Sequence, residues 1–258
     1  MIDMPDITGL LSMLALGAAL GFFGGLFGIG GGIIAIPFLG IVCGMEQAMA
    51  QGTSLAMMVP ILLVGWWRYN RRHPISWRTA LPIGILASAT TWLVAGLATG
   101  LNPGLLRTVF SIFLVLLAGR MLIRSRQPGA EAGSGRCSLR WMPMVGILGG
   151  ACMGLLGVGG GLVATPIFTA GFGQRQTVAQ SLSLALVTPA AIVALISYGG
   201  ARHVDWAVGL PLALGGLATV SAGVALAHRL PERTMRNAFA WMILATASWL
   251  LLKAALRA

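Results

Sequence analysis

Two short glycine-rich runs carry the chemistry this chain could do. They are Gly28-Ile29-Gly30-Gly31-Gly32 and Gly157-Val158-Gly159-Gly160-Gly161, each lying between two apolar segments and each followed by a proline, Pro37 or Pro166. Glycine inside a helix costs up to about 1 kcal/mol against alanine, so neither run is expected to be carried through one. A helix that breaks there leaves N–H groups without helical partners at the start of the next segment, at the positive end of its dipole. Such a terminus favours an anion, and glycine lets a ligand approach the backbone closely. A second polar feature follows each run: Gln51-Gly52-Thr53-Ser54 and Gln180-Ser181-Leu182-Ser183, each opening an apolar segment. The hydroxyls of Thr53, Ser54 and Ser181 read equally well as N-terminal caps. The carboxamides of Gln51 and Gln180 fit a cap less well and could donate to an oxyanion. The expected binding set is therefore Gly28, Gly30, Gly31, Gly32, Gln51, Thr53 and Ser54, with Gly157, Gly159, Gly160, Gly161, Gln180, Ser181 and Ser183. It is neutral, hydrogen-bonding and dipolar. The competing use of the glycines is tight helix packing, and the two uses are compatible.

These features recur because the chain contains itself twice. At an offset of 129 residues the glycine runs coincide, Pro37 falls on Pro166, Gln51 on Gln180, Pro60 on Pro189, Tyr69 on Tyr198, Trp77 on Trp206 and Arg107 on Arg236. Between residues 21 and 60, about 17 of 40 positions match without a gap. Chance matches between apolar sequences would be Leu, Ala and Gly rather than Pro, Gln, Ser and Trp at one offset. The expected organisation is a first transmembrane repeat over 1–125, a cytoplasmic linker over 126–140, and a second transmembrane repeat over 141–258. The Gly- and Pro-rich polar stretch 126–136 is the flexible part of that linker.

Composition says where these elements sit. The chain is 258 residues long, 57% hydrophobic and 9% charged, with a formal net charge of +11. Soluble domains are about 25% charged, so both a water-soluble globule and a disordered chain are excluded. An all-α polytopic membrane protein remains, with the lipid bilayer as its surroundings. Apolar segments fall near 8–28, 30–43, 53–67, 79–98 and 106–124, and again near 143–156, 159–172, 182–197, 208–226 and 237–253. The second of each set is too short to span the hydrocarbon core. The basic residues sit at segment ends, as Arg68, Arg71, Arg72 and Arg78 do, which is the placement of the positive-inside rule and not of a nucleic-acid interface.

Two arrangements of the halves are open. If the two short segments make one broken crossing, the halves are parallel; if they enter and return, the halves are inverted. Loop counts of Lys and Arg separate the two by a single charge. Inversion is favoured because the 68–78 loop is strongly basic while its counterpart 197–207 is not, and the reverse holds for 228–236 against 99–107. Each half then has a glycine-broken helix pair and three spanning helices.

No carboxylate lies mid-span: Glu46, Asp205 and Glu232 are at segment ends, as are His73, His203 and His228. Proton relays in membranes normally use such groups. Cys43, Cys137 and Cys152 form no metal-ligand spacing, no HExxH, GxxxxGKS or GxSxG motif is present, and no cofactor is called for. An enzyme is not expected. The N-terminus has Asp3 and Asp6 but no basic region, so the first segment is expected to be a retained membrane span. Arg107 and Arg236 are candidate gating charges, with interfacial anchoring as the competing role. Monomer and homodimer are both open.

The duplicated Gly-Xaa-Gly-Gly-Gly, its proline, and the Gln-Gly-Thr-Ser and Gln-Ser-Leu-Ser stretches together resemble the TauE/SafE sulfite-exporter family of bacterial membrane proteins. The runs Gly24–Gly32 and Gly154–Gly161 carry most of the resemblance, which extends over both halves. Membership implies a secondary transporter, usually an exporter, of small sulfur-containing anions such as sulfite, sulfoacetate or other organosulfonates in the bacterial inner membrane. A passive anion channel and an uptake carrier for thiosulfate or sulfite are the alternatives. Half two departs from the pattern by replacing Gly-Thr-Ser with Ser-Leu-Ser, so the two sites are not expected to be chemically equal.

Overall fold

The computed structural model describes residues 7–28, 30–72, 74–125, 138–158 and 160–231, together with positions 234 and 241. Among these residues the structure is all-helical. The helices are α1 (Ile7–Phe27), α2 (Gly32–Ile41), α3 (Gln47–Arg72), α4 (Trp77–Ala98) and α5 (Pro103–Ser125), then a 3-10 turn (Leu139–Trp141), then α6 (Met144–Leu156), α7 (Gly161–Ala170), α8 (Gln176–Gly200) and α9 (Trp206–Ala227). The bounds of α2 and α4 recur 129 residues later as those of α7 and α9, and α3 and α8 begin at the same offset. Among the described residues, five helices are long and apolar enough to cross a membrane: α1, α3, α4, α8 and α9. The chain is a multi-pass membrane protein. Most of the expected linker, Gly159, Arg236 and the last expected segment (237–253), apart from Trp241, lie outside the described residues.

Helices α3 and α8 form the centre, each 72% buried along its apolar stretch. They run antiparallel. Gln51, near the start of α3, is hydrogen-bonded to Tyr198, near the end of α8, and Gly65 faces Leu184. Two glycine stripes clamp the flanking helices. Gly17, Gly21 and Gly25 on α1 meet Leu212, Gly216 and Val220 on α9 in parallel register. Gly146, Gly150 and Gly154 on α6 meet Ile83, Ala87 and Thr91 on α4 in the same way. A four-residue spacing keeps each stripe on one helix face, and small residues let membrane helices approach until their backbones touch. Thr91 Oγ1 adds a hydrogen bond to the Gly150 carbonyl at 2.9 Å.

A Cβ on Gly150 would collide with the Ala87 carbonyl, whereas one on Gly96 of α4 meets nothing within 4 Å. Gly150→Leu is therefore expected to lower the thermal unfolding midpoint in detergent by about 5–10 °C, from roughly 2–3 kcal/mol of overpacking. Gly96→Leu should leave the midpoint within about 2 °C, because it adds no clash.

The helix directions sort the charges. Arg68, Arg71, Arg72 and Arg78 cluster where α3 ends and α4 begins, and Arg175, before α8, and Arg229, after α9, lie at that same end. The opposite end carries Arg107 and Arg202 together with Glu46 and Asp205. At that end the loop before α3 and the turn before α9 approach each other. Burial first, and then the Asp205 carboxylate, push the Cys43 thiol above its ordinary range.

The structure corrects one expectation. Helices α3 and α8 begin at residues 47 and 176, six residues before the apolar windows that opened at 53 and 182. Thr53, Ser54 and Ser181 thus lie inside the helices and cap nothing. Ser54 Oγ donates instead to the Gln51 carbonyl at 2.8 Å. The polar start of each helix is drawn into the interior because the facing half supplies its partners, and this overrides its low apolar content.

Candidate functional site at the helix breaks

The first break follows α1. Gly28, Gly30 and Gly31 have φ of 68, 75 and 82°, in the left-handed region where only glycine sits without strain. The chain turns back there, so that Gly31 lies against the Leu20 carbonyl of α1. Helix α2 then starts beside Met58, the twelfth residue of the 26-residue α3, and so begins near mid-depth of the bundle. Its first intrahelical bonds run from the Ile34 and Ala35 N–H groups to the Gly31 carbonyl, both 3.2 Å. The N–H groups of Gly32 and Ile33 precede those first donors and belong to the helix's first turn, which has no acceptor within the helix itself.

The second break follows α6 and is built differently. Gly157 is left-handed with φ 62° and closes α6 through its N–H to the Met153 carbonyl, whereas Gly160, before α7, is right-handed with φ −51°. Like Gly31 against Leu20, Gly160 packs against the backbone of Gly149. The glycines therefore divide by task. The stripe residues of α1 and α6 pack helices, and Gly28, Gly30, Gly31 and Gly157 turn the chain.

Each break is completed by the other half. The nearest side chain to Gly157 is Gln51, and the nearest to Gly28 is Gln180. Both glutamines are buried, at 0% and 2% exposure. Gln51 Nε2 lies 3.5 Å from the Leu155 carbonyl, and Gln180 Nε2 lies 3.5 Å from the Phe27 carbonyl. Each carboxamide thus reaches the last turn of the opposing broken helix, where carbonyls have run out of helical partners. One N–H of each amide serves this purpose. The two breaks also touch: a Cβ on Gly32 would lie 3.4 Å from the Gly157 carbonyl. Gly32 and Gly157 thus join the two breaks, with Gln51 beside the second and Gln180 beside the first; Gln180 lies eighteen residues, about 27 Å, along α8 from Tyr198, the partner of Gln51.

The hydroxyls of Thr53, Ser54 and Ser183 go elsewhere. Thr53 Oγ1 accepts from the Asp205 N–H at 2.9 Å, which ties α3 to the turn before α9. Ser183 Oγ pairs with Thr165 Oγ1 on α7 at 2.8 Å, and Ser181 is fully buried. Arg107 is exposed and lines a separate cavity of about 200 Å³ between α2 and the start of α5, together with Gln47 and Ser111.

Two features of the locus were absent from the expected set. Tyr198 OH donates to Gln51 Oε1 at 2.9 Å and lies 3.1 Å from the Gly154 carbonyl. Its signal was present in the sequence: Tyr69 and Tyr198 are the chain's only two tyrosines, and they fall on each other at the repeat offset. Thr188 is 3% exposed and its Oγ1 has no hydrogen-bond partner. It lies two turns from Gln180 on the same face of α8, a relation that becomes informative only once that face is known to meet the first break.

The electrostatics are simple. Among the described residues the buried polar side chains are Gln51, Thr53, Ser54, Thr91, Gln180, Ser181, Ser183 and Thr188, none of them ionised. No group of three or more His, Cys, Asp or Glu that could hold a metal ion occurs among the described residues. The locus offers N–H and O–H donors and a helix start, with no carboxylate to repel a bound anion.

A family model described as sulfite exporter TauE/SafE matches residues 13–250. A probable membrane transporter protein of Xylella fastidiosa strain 9a5c is 24% identical over 253 residues, covering 95% of this chain and 96% of its own. One from Methanocaldococcus jannaschii is 28% identical over 195 residues, 72% of this chain and 71% of its own. One from Haemophilus influenzae is 27% identical over 271 residues, 95% of this chain and 99% of its own. No solved structure matches.

Proposed function

The chain belongs to the sulfite exporter TauE/SafE family, and from that premise we propose that it exports small sulfur-containing anions, sulfite or organosulfonates, across a bacterial inner membrane as a secondary transporter. The observation that carries this reading is the meeting of the two glycine breaks with a glutamine from each opposite half, buried and free of ionised groups, beside the mid-depth start of α2. A pyramidal or tetrahedral oxyanion has acceptors on every side. It suits a cradle of amide donors at a positive dipole end, and water is excluded there, so each hydrogen bond counts for more than at a surface. Arg107, at the mouth of the cavity beside α2, would draw anions toward that end of the protein.

The decisive measurement is flux of sulfite, thiosulfate and a sulfonate in proteoliposomes of the purified protein. Saturable flux that responds to an imposed ion gradient or membrane potential is the expected result. Linear flux with no saturation would make the protein a channel, and no flux of any of the three would remove the substrate assignment.

The same reading has the two halves inverted. The antiparallel run of α3 against α8 and the collection of arginines at one end of the bundle support it. Arg72→Cys and Arg233→Cys, introduced separately, are expected to react with an impermeant maleimide from the same side of the membrane. Reaction from opposite sides would eliminate inversion.

A further inference from the structure

The α3–α4 corner carries a pattern of charge and aromatic rings that the helix breaks do not use. Arg68, Arg71 and Arg72 end α3, and Trp77 and Arg78 open α4. All four arginines are exposed. The sequence has no Asp or Glu between Glu46 and Glu131. Among the described residues the acids are Glu46 and Asp205, and both lie at the opposite end of the bundle. The corner therefore holds four positive charges with no described carboxylate to neutralise them.

Part of the corner is fixed in place. The Arg71 guanidinium lies 4.1 Å over the centre of the Trp67 ring. Trp66 and Trp77 meet edge-on with centroids 6.2 Å apart, which ties the end of α3 to the start of α4. Asn70 Oδ1 accepts from the Ile75 N–H at 3.1 Å and closes the turn between them. Trp67 and Trp77 nonetheless stay 51% and 63% exposed, so much of each ring is left outside the bundle. Leu63, Trp67 and Arg71 follow one another at four-residue spacing, and Leu63 is also exposed. One outward face of α3 thus runs from aliphatic through aromatic to cationic. A phospholipid has the matching order from membrane core to surface: chain, glycerol, phosphate.

Packing of the corner requires none of this. At the repeat offset Trp67, Arg68, Arg71, Arg72 and Arg78 fall on Ile196, Ser197, Gly200, Ala201 and Ala207, and α8 and α9 still form the equivalent corner. Loop charge bias accounts for arginines at this end, and an aromatic belt accounts for tryptophans. Neither accounts for a guanidinium stacked on an exposed indole. Stacking uses the flat face of the guanidinium and leaves its N–H edge to pair with a phosphate.

We propose that the α3–α4 corner binds a phospholipid with a net negative headgroup. Arg71 is the phosphate ligand, Trp67 orients it, and Leu63 lies along an acyl chain. Arg68, Arg72 and Arg78 supply the surrounding positive field. The lipid clamps the exposed end of α3, whose apolar stretch lies at the centre of the bundle. The proposal does not depend on which anion is transported.

The test uses purified protein stripped of lipid in a neutral detergent, then titrated with phosphatidylglycerol or phosphatidylcholine of identical chains. Bound lipid is counted by native mass spectrometry, and the unfolding midpoint is followed in parallel. The wild type is expected to retain phosphatidylglycerol at least about 5-fold over phosphatidylcholine, with a midpoint raised by phosphatidylglycerol alone. Arg71→Gln and Trp67→Leu should each reduce that preference at least about 3-fold, although only the first changes the charge. Arg175→Gln, an equal charge loss at the same end but before α8, should leave it within about 1.5-fold. All three positions are exposed, so the lipid-free midpoints should stay within about 2 °C of wild type. Equal retention of the two lipids would overturn the site. So would equal losses in the Arg71 and Arg175 variants, which would leave only net charge at the interface. A midpoint rise with inorganic phosphate as large as that with phosphatidylglycerol would mean a free-anion site and would overturn the lipid assignment.

Discussion

Gln51→Ala is expected to cut saturable anion flux by about 10- to 100-fold, and Gln180→Ala to do the same, with both proteins still folded. Each substitution removes one N–H donor from a water-excluded site, and a hydrogen bond to a charged group there contributes about 1.5–3 kcal/mol. The structural share of the loss is smaller. The Leu155 and Phe27 carbonyls each lose only a long 3.5 Å contact, and Tyr198 OH keeps the Gly154 carbonyl as an acceptor. Gln51→Glu separates the two contributions. It retains an oxygen for Tyr198 but offers no N–H and places a carboxylate beside the break. A site that binds an anion should suffer more from Glu than from Ala. A site in which Gln51 only fills space should tolerate Glu if the acid is neutral, or unfold if it ionises. Wild-type flux in both alanine variants would remove the glutamines from the site.

The second large effect is expected at Gly31. Gly31→Ala places a Cβ 2.7 Å from the Leu20 carbonyl at a φ of 82°. The left-handed conformation alone costs a non-glycine residue about 1–2 kcal/mol. The carbonyl is fixed in α1 and cannot yield, so the start of α2 must move. Flux should fall at least about 10-fold, because displacements of 1 Å at a positioned site have effects of that size or larger. Gly44→Ala is the control. Gly44 also has a positive φ, 66°, but a Cβ there meets nothing within 4 Å. It carries the backbone cost without the displacement, and flux should remain within about 2-fold of wild type. If the two variants behave alike, the geometry of the break is not what sets transport.

Much of this arrangement was legible in the residues, for identifiable reasons. Helices α4 and α9 begin at Trp77 and Trp206 and end before short polar turns, so an apolar window finds both ends. The glycine runs marked the breaks because a helix interior does not accommodate them. What escaped was decided by contacts between the halves. Gln47 to Ser54 looks like a loop and cap in isolation, and it is helical because Tyr198, the turn before α9 and the second break cover it. Gly25 and Gly28 belong to one run and differ only in φ and in what they face, so no inspection of the run could assign one to packing against Val220 and the other to the turn. The partnership of each glutamine with the opposite break needed the direction of α8 relative to α3, which loop charges indicate only weakly.

A buried locus without an ionised side chain has a consequence for energetics. Nothing in it neutralises the charge of a bound oxyanion, so a cycle that carries a monoanion outward alone would also move one negative charge across the membrane. Such a cycle is electrogenic. At about 100 mV, inside negative, the field contributes about 2.3 kcal/mol to each outward step. That corresponds to an expulsion ratio of roughly 50-fold with no coupling ion. The protein would need no proton relay because the standing potential already points the right way for export.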